Sequence, residues 1–316
     1  MECAKQALPE SKHPDRIRLP NKQSGRTMTK DIQQTGAAPA ICQNCQAPGL
    51  APQTLFHFTN KQALRGILQS NFRIAYSRER VIHRGGQIEF AAPMVSFCDL
   101  RLSELRSHMT NYGCYGLGMK KEWAARNGVN PVYYISSQAS LPGDYIAAVR
   151  EIWRLREHLH PRASDSPFIQ ENQQVAPALP DQFDMDGTHS KLMELHRYMK
   201  NYEAPLYRQG ELKNENYRFA DEREWRFVPP WNTVWPLAAA QAMDDSDKKA
   251  YLNGECGKIP LYFEPNDINY IIVEFESERD EIIRHIEESK DPKYDPADVR
   301  RLTSRILSAE QIANDV

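Results

Sequence analysis

No run of about 18 apolar residues occurs anywhere in this chain, so the sequence predicts no membrane-spanning helix. Residues 1–30 also lack the apolar segment that leads a secreted protein across a membrane. Charge of one sign is missing as well: 40 Lys and Arg stand against 42 Asp and Glu, a net charge of -2. No global field draws the protein to nucleic acid or to an anionic membrane, and any such contact has to be a local patch. Cysteine is scarce, six residues scattered over 316, as expected of a reducing compartment. These absences predict a cytoplasmic protein with no membrane partner. The one CxxC pair, Cys42 and Cys45, has no second CxxC or His pair near it, and two thiols are half a zinc site. It reads as a flexible lead-in with two free thiols and no metal. There is no internal repeat.

What is present is ordinary for a globular chain: 41% hydrophobic and 9% aromatic residues, enough for one large domain with decorations or two smaller ones. Residues 1–50 are rich in Lys, Gln, Pro, Ser and Thr and cannot offset the entropy of ordering, so they predict a disordered arm. The folded part is expected over 51–290, with a helical insertion over about 143–215 and a C-terminal helix over 291–316. Thr54 to Phe58 reads as a strand, and Asn60 caps a helix carrying Ala63, Leu64, Ile67 and Leu68 at helical spacing. Asn71 marks its stop. A short strand over 72–76 leads into an Arg-rich loop (Arg78, Arg80, Arg84) ending in Gly85-Gly86. Residues 90–98 read as a second buried strand, followed by a short helix from Ser103 to Met109, a further helix over 120–126 and a strand over 131–135. A longer helix starts near Gly143, with Ile146, Val149, Ile152, Trp153 and Leu155 on one face. Residues 161–180 read as a loop and 191–202 as a helix. Strands are expected again at 224–228, 259–263 and 268–275, the last covered on both faces, and a charged helix over 278–290. Val299, Leu302, Ile306 and Leu307 predict one docking helix over 297–312.

Two segments far apart carry the chemistry. Leu55-Phe56-His57-Phe58-Thr59 delivers a His and a Thr just before a helix, and Glu222-Arg223-Glu224-Trp225-Arg226-Phe227 reads as a strand with two carboxylates on one face of the pleat. A carboxylate can both hold a sugar hydroxyl and steady positive charge developing on the ring, so the pairing points to chemistry on a ribose.

Together with Pro93 to Asp99 and Tyr112 to Gly118, these strings resemble the AbiGi family of abortive phage-resistance proteins, over about residues 55–275. More distantly, a His-bearing first strand, a Ser-bearing middle strand and a late ExE strand look like the ADP-ribosyltransferase superfamily. That resemblance implies an α+β fold, a split mixed β-sheet core of ADP-ribosyltransferase type with a helical insertion, and NAD as the substrate bound between two small sheets. It implies that Glu224 holds the ribose 2′-hydroxyl, that Glu222 orients the acceptor or acts as its base, and that His57 holds the adenosine ribose. Thr59 or the backbone beside it, including Phe58, would meet the nicotinamide amide, and Ser96 would place Glu224. Tyr76, Tyr112 or Tyr115 would stack on nicotinamide, and Arg78 or Arg80 would meet the pyrophosphate. The family resemblance implies something different: an antitoxin that binds a nucleotidyltransferase-like toxin.

Each residue also has a plain structural reading. His57 between two phenylalanines serves equally as a strand residue with a satisfied ring. Glu222 to Arg226 serve as a strand face of alternating charge, and Ser96 as a small core residue. Tyr112 and Tyr115 are more often packing residues, and the arginines of 73–84 fit a solvated loop or a phosphate contact. The chain departs from arginine-specific transferases in having His57 where they have Arg, and Val95-Ser96-Phe97 where they have Ser-Thr-Ser. Three functions follow: a phage-defence protein that transfers ADP-ribose from NAD to a macromolecular acceptor, protein or nucleic acid; a non-catalytic antitoxin that neutralises a toxin; and an RNA-processing or nuclease role for the Arg-rich loop.

Overall fold

The computed structural model describes residues 52–159, 185–208, 211–259, 261–290 and 294–315. The arm over 1–50, the Cys42–Cys45 pair and the loop over 161–180 lie outside the described residues. In chain order the elements begin with β1 (Thr54–Thr59), α1 (Lys61–Gln69), β2 (Ala75–His83), β3 (Gly86–Cys98), α2 (Leu105–Tyr112), β4 (Tyr115–Lys120) and α3 (Lys121–Arg126). The middle holds β5 (Asn130–Pro131), β6 (Tyr133–Ile135), α4 (Leu141–Leu159), α5 (Met185–His196), β7 (Met199–Asn201), β8 (Ala204–Arg208) and β9 (Glu211–Tyr217). The last part holds β10 (Glu224–Phe227), β11 (Ala238–Ala239), α6 (Ser246–Cys256), β12 (Ile268–Val273), α7 (Arg279–Lys290), α8 (Pro296–Thr303), β13 (Ile306–Ser308) and α9 (Ala309–Asp315).

The fold is α+β around a mixed sheet. The strands run β13-β12-β4-β1-β3-β10-β5, and β2 and β11 pair with the first part of β3. β12 and β13 are parallel, and β4 meets both β1 and β12 antiparallel. β3 is long enough to serve two sets of partners: Gly86 to Met94 pair with β2, while Val95 to Cys98 pair with β10. β1 touches β3 in the ladder only at Phe56↔Cys98, so the sheet parts between them.

Alternation sends neighbouring residues to opposite layers. Leu55, Phe97, Leu117, Ile271 and Val273 enter the larger core, with α1, α3, α6, α7 and α8 packed on that face. Phe56, Cys98 and Ile272 enter a smaller core with residues of α2 and α9. Strands covered on both faces need continuous apolar runs, which is why 268–273 reads as one. Asn60 caps α1 as expected, its Oδ1 accepting from the Ala63 N–H at 2.9 Å. Burying Leu64, Ile67 and Leu68 against the sheet contributes roughly 1.5–3 kcal/mol each. Gly116 and Gly118 are required by contact rather than by a turn: a Cβ at Gly118 would stand 2.9 Å from the Phe56 ring, and one at Gly116 would stand 3.1 Å from the Phe58 ring.

Several elements differ from the sequence expectation. The Arg-rich stretch is strand, the whole of 75–83 pairing with β3: Arg78 and Arg80 are exposed while Glu79 and Val81 are buried, an alternation masked by the arginines. The segment expected as a strand over 259–263 contributes one bridge, Phe72↔Leu261. The helix expected over 191–202 ends at His196, and 199–201 form β7 beside β6. The tail is two helices with β13 between them, and it extends the main sheet. Ile306 satisfies helical spacing and a buried strand position equally well, and pairing with Ile271 decided it.

A candidate site in the parting of the sheet

The cleft where β1 and β3 part has a volume of about 730 Å³, within the range of small-molecule sites. Of the expected residues, His57, Phe58, Arg78, Ser96, Glu222 and Glu224 line it, as do Arg80 and Tyr112. Thr59, Tyr76 and Tyr115 do not. Thr59 ends β1 opposite Tyr115. The Tyr76 hydroxyl donates to the Trp235 carbonyl, and burial pushes it above the usual phenol range. The Tyr115 hydroxyl donates to Glu278 at 2.8 Å, and Glu278 ends the 3-10 turn that leads into α7.

His57 bridges the parting. Its Nδ1 lies 2.8 Å from the Ser96 carbonyl, an acceptor only, so Nδ1 carries the proton and Nε2 is left as an acceptor. The ring packs edge-on to Phe72 and tilted against Phe97. Burial lowers its pKa, opposed by the bond to Ser96, so the imidazole is neutral at physiological pH.

On β10, Phe227 enters the main core and Trp225 packs against it, so alternation turns Glu224 and Arg226 to the other side. Glu224, 6% exposed, accepts from Ser96 Oγ at 2.8 Å and Arg226 Nε at 2.7 Å on Oε1, and from Arg226 Nη2 at 3.2 Å on Oε2. Lys200 Nζ lies 3.6 Å from Oε2. Burial opposes the charge, but Arg226 and Lys200 overcome it and hold the carboxyl down to about 2. Arg226 is itself 0% exposed and also reaches Glu79 at 3.2 Å. Lys200 meets Glu79 at 3.2 Å and lies over the Phe219 ring at 4.8 Å. Two carboxylates and two cations thus form one buried, charge-balanced group. Such groups add little net stability, but removing one member is strongly destabilising.

Glu222 is not on the strand. It closes a tight 3-10 turn over Phe219–Glu222, and Arg223 takes the left-handed conformation, φ 45°, before β10 starts at Glu224. The two carboxylates therefore do not share one pleat face. Glu222 is 5% exposed, and its Oε1 accepts from the hydroxyls of Tyr112 and Tyr217, the latter at 2.9 Å. Burial raises its pKa, partly offset by Lys200 and the Tyr112 bond.

The arginines at the mouth are engaged: Arg78 with Asp244 and Glu89, Arg80 with Glu89 and over the Tyr207 ring. They do not present the free fork that a pyrophosphate needs. Among the described residues no three His, Cys, Asp or Glu side chains gather where they could hold a metal ion, and no helix is long and apolar enough to cross a membrane.

The residues that sequence reasoning missed are Glu79, Lys200, Arg226 and Tyr217. For Glu79 a signal existed in the period-2 pattern of 78–81; for Arg226 it was the i, i+2 spacing from Glu224. Lys200 and Tyr217 carried none.

Comparison with known proteins now bears on this geometry. The family model described as "Putative abortive phage resistance protein AbiGi, antitoxin" matches residues 70–274. The "Abortive phage resistance protein AbiGi" of Lactococcus lactis subsp. cremoris is 26% identical over 239 residues, covering 72% of this chain and 90% of that relative. No solved structure gives a significant match.

Proposed function

Because this chain belongs to the AbiGi family of abortive phage resistance proteins, we propose that it serves phage defence as an antitoxin, binding and neutralising a nucleotidyltransferase-like toxin. The observation that carries this reading is the family match over 70–274, whose description includes the word antitoxin. The floor of the cleft agrees with it. Both oxygens of Glu224 are already bonded to Ser96 and Arg226, so this carboxylate acts first as a structural counter-ion. The test is growth of cells expressing a candidate nucleotidyltransferase-like toxin, with and without the chain. Restored growth supports the reading, and unrelieved toxicity with this protein folded and abundant sinks it.

A second reading is favoured by a separate observation: His57, Ser96, Glu222 and Glu224 line one cleft, and Ser96 donates to Glu224. Under this reading the parted sheet is of ADP-ribosyltransferase type and takes NAD, Glu224 supplies fixed negative charge beside the ribose, and His57 Nε2 accepts from a ribose hydroxyl. Glu222, with its raised pKa, takes the proton of a macromolecular acceptor. Labelled NAD incubated with the protein and host lysate tests it. Glu222→Gln is the variant of choice, since it keeps the bonds from Tyr112 and Tyr217, whereas Glu224→Gln strips the counter-charge from Arg226 and Lys200. Label transfer lost in Glu222→Gln supports the transferase; no NAD turnover by the wild type rules it out.

A further inference from the structure

A second cavity, of about 1050 Å³, lies beside the cleft, and His108 and Glu222 form a wall common to both. The β8–β9 hairpin also stands between them. On β8, Ala204 to Tyr207 line the cleft, and on β9, Asn214, Asn216 and Tyr217 line the second cavity. A pair of strands with open space on either side has room to move, and neither function proposed above gives it a part.

Little of the hairpin is anchored. Among the described residues β8 and β9 pair only with each other, and an isolated pair of strands is marginal in water. Their ladder shifts register on both sides of Leu206, which disrupts the pairing there. Glu211 to Asn216 are all exposed. Leu206 is 4% exposed, yet it joins none of the hydrophobic cores; what it covers is the cleft. One buried leucine favours this closed arrangement without locking it. Two aromatic side chains add to its hold. The Tyr207 ring lies 5.1 Å from the Arg80 guanidinium, which is itself fixed by Glu89. The Tyr217 hydroxyl donates to Glu222 at 2.9 Å and accepts a longer bond of 3.5 Å from Asn111.

We propose that the β8–β9 hairpin is a hinged flap over the cleft, held down by Tyr207 on Arg80 and Tyr217 on Glu222, and that its swing admits a small molecule to the side chains beneath. Its foot is marked where the Ala220 N–H donates to the Tyr202 carbonyl at 3.2 Å, joining the chain entering the hairpin to the chain leaving it. The inference concerns access, so it stands whether the chain serves as an antitoxin or as a transferase. The protein carries its own reporter. Cys98 is a free thiol, 2% exposed, that lines the cleft, whereas Cys256 is 0% exposed in the larger core. A reagent reaches Cys98 when the flap opens and Cys256 only when the core does.

The experiment compares wild type, a Tyr207→Ala/Tyr217→Phe double variant and Tyr207→Trp, which keeps a ring beside Arg80. Labelling of the full chain by N-ethylmaleimide is read peptide by peptide by mass spectrometry, beside hydrogen exchange over β8–β9 and over β3, and circular dichroism checks the fold. Loss of the two ties should raise the open population, and with it hairpin exchange and Cys98 labelling, by roughly tenfold. Exchange in β3 and labelling of Cys256 stay at wild-type rates, and Tyr207→Trp labels as wild type does. Faster hairpin exchange with Cys98 labelling unchanged overturns the hairpin as a gate to the cleft. Unchanged hairpin exchange in the double variant shows a fixed wall and overturns the flap itself. Cys98 and Cys256 accelerated together mean that the core has opened, which overturns the proposal as well.

Discussion

At the floor of the cleft Glu224 sits between Arg226 and Lys200 and is held ionised. At its rim, two residues earlier, Glu222 accepts from two neutral phenols and is pushed towards its protonated form. Both side chains are under a tenth exposed, so burial alone does not separate them. What separates them is a cation in direct contact: Arg226 is bonded to Glu224, whereas Glu222 is bonded to two hydroxyls and feels Lys200 only through space, which offsets part of its desolvation. The floor is consequently a place where charge is fixed, and the rim a place where a proton can be held or given up.

The largest test of that contrast is Arg226→Met. It leaves Glu79 and Glu224 buried with Lys200 as their remaining cation, and the urea midpoint should fall by the equivalent of about 3–5 kcal/mol. A loss below about 1 kcal/mol would mean that water reaches the group and that the floor is not sealed. Glu224→Gln should also destabilise, by roughly 2–4 kcal/mol, since Arg226 and Lys200 lose half of their counter-charge.

The pH dependence sharpens the comparison further, because the two groups have opposite signs. Glu224 is depressed from an ordinary 4.5 to about 2, so its contribution is complete above about 4.5 and is lost as pH falls towards about 2. Glu222 is raised, so its charged form detracts from stability above its folded pKa and protonation restores it. Unfolding midpoints between pH 6 and pH 2.5 should show the acid decline flattened in Glu224→Gln. Glu222→Gln should be at least as stable as wild type at pH 7, with its advantage shrinking in acid. A Glu222→Gln protein clearly less stable at pH 7 would show that the carboxylate is ionised and paired.

The glycines test packing next to the same cleft. Gly118→Ala puts a methyl 2.8 Å from Thr54 Cγ2 and 2.9 Å from the Phe56 ring, and thermal unfolding should register a loss of about 1–3 kcal/mol. Smallest of all is Tyr217→Phe, which removes the hydroxyl's bond of 2.9 Å to Glu222 and the longer one of 3.5 Å from Asn111 and should cost about 1 kcal/mol. If it costs nothing, Tyr112 alone holds the rim.

Much of the frame was readable in the chain. The strand before Asn60, its cap, the buried run of 268–273 and the amphipathic α1 follow from periodicity and capping, which act within a few residues. His57, Ser96 and Glu224 line one cleft, as their grouping in the sequence led one to expect, although the two carboxylates do not share a strand. The rest was hidden for particular reasons. Arg78, Arg80 and Arg84 made the stretch after Tyr76 resemble a loop although Glu79 and Val81 alternate inward. Arg223 gave no sign that it would take a positive φ, so Glu222 was read onto a strand that begins two residues later. Tyr76 and Tyr115 carried no mark of facing away from the cleft, since a tyrosine packs or binds according to what its hydroxyl meets.

By itself the sequence determined that this is a charge-balanced α+β chain without a long apolar segment, where β1, β3, β10, β12 and the α1 cap fall, and which residue types stand ready for polar chemistry. Those properties depend on composition and on contacts a few residues apart. Only the tertiary structure decided which carboxylate is ionised and which arginines are already spent, and that Glu222 forms the wall between two cavities. Lys200 meets Glu224 from 24 residues away in the chain, and Glu79 shares the same two cations from 145 residues away; the electrostatics of a buried group is set by distances in space, to which sequence spacing gives no guide.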